Sequence, residues 1–306
     1  MYRHNGKTRL LCITVIILIL FIAILGYYLY EKKNKKFLII STTTSLYDTG
    51  LLDRIGEKFS AKYGIEVFFI SAGTGTSILH AKNGDAEMIL AHAPELEKEF
   101  MEEGYGFNRR IFAYNFFAIV GKNDDTANVK NSSAIDALKK IAEKKAKWVS
   151  RGDLSGTNIR EKKLWSIAGY EIEKLRKENW FYETGSGMGA TLCFANEIDA
   201  YTLTDEGTYL KYIDKGLISL RSFISYDKEL MNVYSAIVVS KEKKKFELSV
   251  RFLNYLVSDE GQKIIEEFGV FYPAVKILDE KNSKEYEWIK EAAFINGEEC
   301  PEEYRA

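Results

Sequence analysis

Small hydroxyl residues and glycines gather at four places in this 306-residue chain, each time just after a short apolar run. TTTS (42–45) follows FLII, AGTGTS (72–77) follows IEVFFIS, RGDLSGT (151–157) follows AKWVS, and ETGSGMGAT (183–191) follows WFY. Ser and Thr offer hydroxyl donors, and glycine lets backbone N–H groups approach a ligand closely. Arg151 opens the third stretch, where its planar guanidinium could pair with an oxyanion. Donors outnumber acceptors, so the chemistry these types favour is capture of a small, fully ionised anion. A lone Ser/Thr turn is ordinarily a helix cap. Four such turns together, one of them beginning with Arg151, exceed that need.

Other chemistries fit less well. GSGMGA is one residue short of the dinucleotide fingerprint, and Asp205, about 20 positions on, sits in another turn. No stretch ends in GK[ST], so a triphosphate site is not indicated. His92 follows an apolar run with no partnered nucleophile and reads as structural, and His4 and His80 complete no metal-ligand set. Asp153 could accept a proton from hydrogen phosphate, but reads first as a cap for the helix beginning near Ser155. A hydrolase or phosphotransferase built on these hydroxyls would need a base, and no His, Lys or Cys adjoins them.

The elements that must position these turns alternate along the chain. Strand patterns at 37–41, 65–71 and 86–93 enclose helical patterns at 51–64 and 76–84, each closed by glycine. That order predicts a parallel sheet with helices on both faces. A second set follows, with strands at 116–121, 146–152, 180–184, 200–204 and 232–240. Its helices fall at 135–145, 158–169 and 187–197, with one or two more over 245–269. In such a sheet ligands bind beyond the carboxyl ends of the strands, where all four turns fall. Each turn also opens a helix, whose free N–H groups and dipole favour an anion. With only three Pro and no loose linker, two α/β units joined by strands imply two lobes and a hinge.

Composition agrees with a globular chain: 46% hydrophobic, 28% charged, net charge −1. Nothing suggests nucleic acid as a partner. Three Cys without a CxxC pair indicate no disulfide framework, zinc site or redox motif. Residues 10–30 are 21 residues without a charge, enough as a helix to span roughly 31 Å. Arg3, Lys7 and Arg9 precede this run, no A-x-A-like site ends it, and Tyr27, Tyr28 and Tyr30 suit an interface belt. The expectation is an uncleaved anchor in the cell membrane, a basic linker ending at residue 36, and the remainder on the extracytoplasmic side.

The quoted turns, with AHAPELEKEFMEEGYGFNRR, YNFFAIVG and AYTLTDEGTYL, are similar in order and spacing to the tungstate-binding proteins of ABC-type uptake systems. These are relatives of the molybdate- and sulfate-binding proteins. The resemblance covers about residues 37–275. It implies an α/β, two-lobed periplasmic-binding-protein fold of type II, each lobe a mixed, mostly parallel sheet flanked by helices, with the ligand cleft between them. It implies no enzyme, no cofactor and no metal cation, since the ligand is itself an oxometalate anion. Tungstate or molybdate would be the ligand, an ABC permease the partner, and the chain a monomer. Sulfate- or phosphate-binding receptors share the fold and remain alternatives.

Carried over by motif, the first-lobe donors would be Thr42, Thr43, Thr44 and Ser45, with Thr74 and Gly75. The second-lobe contacts would be Arg151, Ser155, Gly156 and Thr157, with amides at Gly187, Met188 and Gly189. The expected division is 1–36 a membrane anchor or signal segment with a basic linker, 37–116 plus 232–275 lobe 1, 117–231 lobe 2, and 276–306 an appended segment.

Overall fold

The computed structural model describes residues 13–26, 36–153, 155–239 and 243–306. Helix α1 (13–26) covers the middle of the apolar run, and all of its residues are exposed. Among the described residues no helix is long and apolar enough to cross a membrane. The flanks of that run, with Tyr27, Tyr28, Tyr30 and the basic stretch before residue 36, lie outside the described residues.

The chain then alternates. β1 (Lys36–Thr43) leads through the short α2 (Thr44–Asp48) to α3 (Leu51–Tyr63), β2 (Ile65–Ala72), α4 (Thr74–Asn83), β3 (Met88–Ala91) and α5 (Pro94–Glu102). β4 (Phe107–Gly121) has 15 residues. The second set is α6 (Ala134–Lys144), β5 (Trp148–Ser150), α7 (Gly156–Ile167), α8 (Ile172–Leu175), β6 (Phe181–Glu183), α9 (Met188–Glu197), β7 (Tyr201–Asp205), α10 (Glu206–Asp214) and β8 (Arg221–Ile224). β9 (Met231–Val238) returns, followed by α11 (Lys243–Leu256), α12 (Asp259–Phe268), the two-residue β10 (Tyr272–Pro273), α13 (Val275–Glu280) and α14 (Lys284–Ala293).

Strand order is β2-β1-β3-β9-β4-β7-β5-β6. β2, β1 and β3 pair in parallel, as do β6, β5 and β7. β9 and β4 lie between the two parallel triplets and pair antiparallel, with Asn115 opposite Asn232. The first half of β4 ladders with β9, and its second half ladders with β7 and β8. One strand thus belongs to both half-sheets. The expected strand at 116–121 is only the second half of it. Apolar residues occupy both faces of 111–114, so that stretch has no alternation to signal a strand.

Position along β4 sends its two halves into different cores. Ala113 joins a cluster with Leu38, Ile40, Phe59 and Phe252, whereas Phe117 and Ile119 join one with Trp148, Trp165 and Leu138. Trp165 meets Trp148 edge-on at 5.2 Å, which accounts for the large apolar residues of this region. α3 shows why the sequence was readable: Leu51, Leu52, Ile55 and Phe59 are buried along one stripe, and Gly64 ends the helix at φ 64°, a left-handed cap.

Residues 276–306 pack against the shared strands. Ile289 and Ala293 of α14 share a cluster with Tyr114, Phe116 and Val233. The Glu299 carboxylate accepts from Ile111 N at 2.5 Å, and its carbonyl accepts from Arg109 at 2.7 Å. α14 also reaches the loop after β8, where Tyr226 OH bonds Glu285 and Lys228 pairs with Glu291 at 3.3 Å.

Candidate oxyanion site

The first turn is divided between two elements. Thr42 and Thr43 end β1, and Thr44 and Ser45 begin α2. Thr43 caps α2, its Oγ1 accepting from Leu46 N at 3.3 Å. Ser45 is buried, its Oγ 3.5 Å from Thr43 Oγ1. Thr44 is half-buried. Thr42 is fully buried, and its Oγ1 has no partner. In the second turn Thr74 opens α4, fully buried, again with an unpartnered Oγ1, and Gly75 is half-buried.

The third turn comes from the other half-sheet. Ser155 caps α7, accepting from Asn158 N at 3.2 Å. Asp153 is therefore not the helix cap expected above. Its Oδ1 accepts from Ser155 Oγ at 2.5 Å and its Oδ2 from Arg151 Nη2 at 2.6 Å. That carboxylate aims the guanidinium. Arg151 is 4% exposed, and its Nε has no partner. Thr157 Oγ1 is buried and unpartnered too. The fourth turn adjoins the third, with Thr184 Oγ1 donating to Arg151 O at 3.4 Å. Gly187 is exposed, Met188 packs its side chain into a core cluster, and the Tyr212 ring covers Gly189.

The half-sheets meet at these turns. A Cβ built on Gly156 would lie 2.2 Å from His92 Nε2, so only glycine permits the contact. Arg160 of α7 donates to Met231 O at 3.1 Å, Lys163 pairs with Glu95 at 2.8 Å, and Lys211 of α10 bonds Asp48 O. His92 stacks on Tyr234 with centroids 5.0 Å apart. Its Nδ1 lies 2.7 Å from Asn232 Oδ1, while Asn232 Nδ2 donates to Asn115 Oδ1 and to Tyr234 OH. Asn232 Oδ1 is therefore the acceptor, and His92 carries its proton on Nδ1. Burial, reinforced by the charges of Arg151 and Arg160, lowers the His92 pKa to about 4, so the ring is neutral near pH 7.

Among the described residues, nine buried side-chain polar atoms lack a partner. Four of them, on Thr42, Thr74, Arg151 and Thr157, belong to the predicted turns. All four are donors, and they come from both half-sheets. A buried donor without an acceptor is costly, and native proteins keep few of them. Asn115 Nδ2 adds a fifth unpartnered donor, and Asn158 Oδ1 and Asp205 Oδ2 are unpartnered oxygens. Sequence reasoning missed these, together with Asn232 and Tyr234, because single polar residues in strands or caps carry no motif. Asp205 ends β7 and caps α10, and burial raises its carboxyl pKa, opposed in part by the Arg151 charge. No group of three or more His, Cys, Asp or Glu among the described residues is arranged to hold a metal ion.

A family model described as a PBP superfamily domain matches residues 31–260, most of the chain. The chain belongs to the PBP superfamily. Among curated relatives of this binding protein is the tungstate-binding protein TupA of Peptoclostridium acidaminophilum, 36% identical over 245 residues, covering 78% of this chain and 84% of the relative. Among solved structures, the tungstate-binding protein TupA of Desulfovibrio alaskensis G20 is 39% identical with a TM-score of 0.70, covering 78% of this chain and 98% of that one. The structure titled as the tungstate ABC transporter from Geobacter sulfurreducens is 37% identical with a TM-score of 0.69, covering 76% and 98%. The expectation of a two-lobed, mixed α/β binding-protein fold is met by this membership and by these matches.

Proposed function

We propose that this chain captures tungstate outside the cytoplasm and delivers it to an ABC permease, with no bond made or broken. The observation that carries the reading is the set of unpartnered buried donors on Thr42, Thr74, Arg151 and Thr157, contributed by both half-sheets. A tetrahedral dianion offers four oxygens, each able to accept more than one hydrogen bond. It would satisfy these donors together. Thr43, Thr44, Ser45, Gly75, Ser155, Gly156, Gly187 and Met188 complete the cage through amides and hydroxyls at the starts of α2, α4, α7 and α9.

The names of the relatives favour tungstate over molybdate, sulfate and phosphate. Asp153 bears on phosphate, since both its oxygens already hold Arg151 and Ser155 and are poorly placed to take a proton from hydrogen phosphate. Residues 37–116 with 232–275 act as one lobe and 117–231 as the other, closing about β4 and β9. α1 and its flanks tether a monomeric receptor to the membrane, and α14 braces the hinge.

Isothermal titration of the purified chain with tungstate, molybdate, sulfate and phosphate tests this reading. One tungstate per chain, bound more tightly than sulfate or phosphate, is expected. Tight phosphate binding with no response to tungstate would overturn it.

A further inference from the structure

Asn115 and Asn232 are buried polar residues paired on one face of the two strands shared by the half-sheets. On β4 Asn115 lies between Ala113 of one core and Phe117 of the other, and on β9 Asn232 is followed on the same face by Tyr234 of the first core. The two side chains therefore mark the seam between cores, where the floor of an inter-lobe cleft must lie. Asn115 is fully buried and Asn232 is 1% exposed. Asn232 has its needs met by His92, Tyr234 and Asn115 Oδ1, at 2.7 to 2.9 Å. Asn115 Oδ1 is used as well, but Asn115 Nδ2 has no partner. Nothing in a strand core rewards a buried carboxamide with one idle end, and an apolar residue would pack there without that cost.

We propose that Asn115 is a further ligand-binding and specificity-determining residue, its Nδ2 donating from the cleft floor to one oxygen of the oxyanion. This rests on the oxyanion reading given above. The Asn115 carboxamide is fixed through Asn232 to His92, and His92 abuts Gly156 of the opposite half-sheet. Hydrogen bonds thus link the floor donor to His92, the residue that makes the closing contact. Asn115 is a donor that cannot ionise, so it favours an unprotonated anion oxygen and accepts no proton from a hydroxyl-bearing one.

The test uses the full chain labelled with ¹⁵N-asparagine, titrated with sodium tungstate, alongside Asn115→Asp and Asn115→Ser. The expected result is at least a tenfold loss of tungstate affinity in Asn115→Ser and at least a hundredfold loss in Asn115→Asp. The side-chain amide signal absent from Asn115→Ser should shift in the unaltered chain, tracking the heat of binding. That last measurement decides the matter if either variant fails to melt cooperatively. A bound, unaltered chain whose Asn115 amide does not move, or folded variants with unchanged affinity, would overturn the assignment of Asn115 alone. No binding of tungstate by the unaltered chain would overturn the functional reading beneath it.

Discussion

His92 and Gly156 approach so closely that a single added carbon on Gly156 would lie 2.2 Å from His92 Nε2. His92 follows β3 in one half-sheet and Gly156 begins α7 in the other. The imidazole cannot easily retreat, because it is stacked on Tyr234 and bonded to Asn232. Gly156→Ala is therefore expected to hold the lobes apart and weaken tungstate binding by ~1.5 kcal/mol or more, about tenfold. Adding His92→Ala should return part of that loss. Calorimetric titration of both variants measures this, and losses that simply add would contradict the steric account.

Arg151→Ala should lower affinity by at least ~1.5 kcal/mol, the lower range for hydrogen bonds to a charged group. Arg151→Lys should recover little, because the unpartnered Nε and the Nη2 held by Asp153 use a planar fork that an ammonium lacks. Titration of both variants checks this, and unchanged affinity in Arg151→Ala would remove the residue from the site.

Thr42→Val, Thr74→Val and Thr157→Val replace idle buried hydroxyls by methyl groups of similar size. Each should leave the ligand-free chain as stable as before or raise its stability by about 1 kcal/mol, while weakening tungstate binding by a similar amount. Denaturant unfolding without ligand and titration with it separate the two effects. Loss of stability with unaltered affinity would mark these hydroxyls as structural.

The pH dependence of stability should contain two opposed contributions. The folded pKa of His92 is lowered to about 4, so the unfolded chain binds more protons between about 4 and 6.5, and stability rises with pH across that window. Burial of Glu161, which accepts from Trp148 and Ser150, raises its pKa to about 7. The folded chain then binds more protons between about 4.5 and 7, and stability falls as pH rises there. Each contribution is on the order of 3 kcal/mol. Relative to the unaltered chain, Glu161→Gln should gain stability as pH rises through this range and His92→Ala should lose it. Urea unfolding at pH 5 and pH 7 reads the difference, and slopes of the opposite sign would refute the assignment.

Much of this was legible in the residues because the responsible signals are local. Gly64, Gly84 and the stripe Leu51, Leu52, Ile55 and Phe59 define helices within a dozen positions, and TTTS, AGTGTS and RGDLSGT each punctuate a strand end. What was not legible depends on distant pairing. The first half of β4 is apolar on both faces, and only β9, over 100 positions on, makes it a strand. α5 begins at Pro94 with Glu97 turned inward to Arg109, a buried pair that a count of polar residues assigns to the surface. Asn115 shows no spacing at all, and its meaning appears only at the seam of two cores.

The most direct measurement is anomalous diffraction at the tungsten edge from crystals grown with tungstate. One tungsten should lie between the half-sheets, with Arg151 Nε and the hydroxyls of Thr42, Thr74 and Thr157 bonded to its oxygens. Tungsten found elsewhere, or at that place without those four donors, would contradict the account.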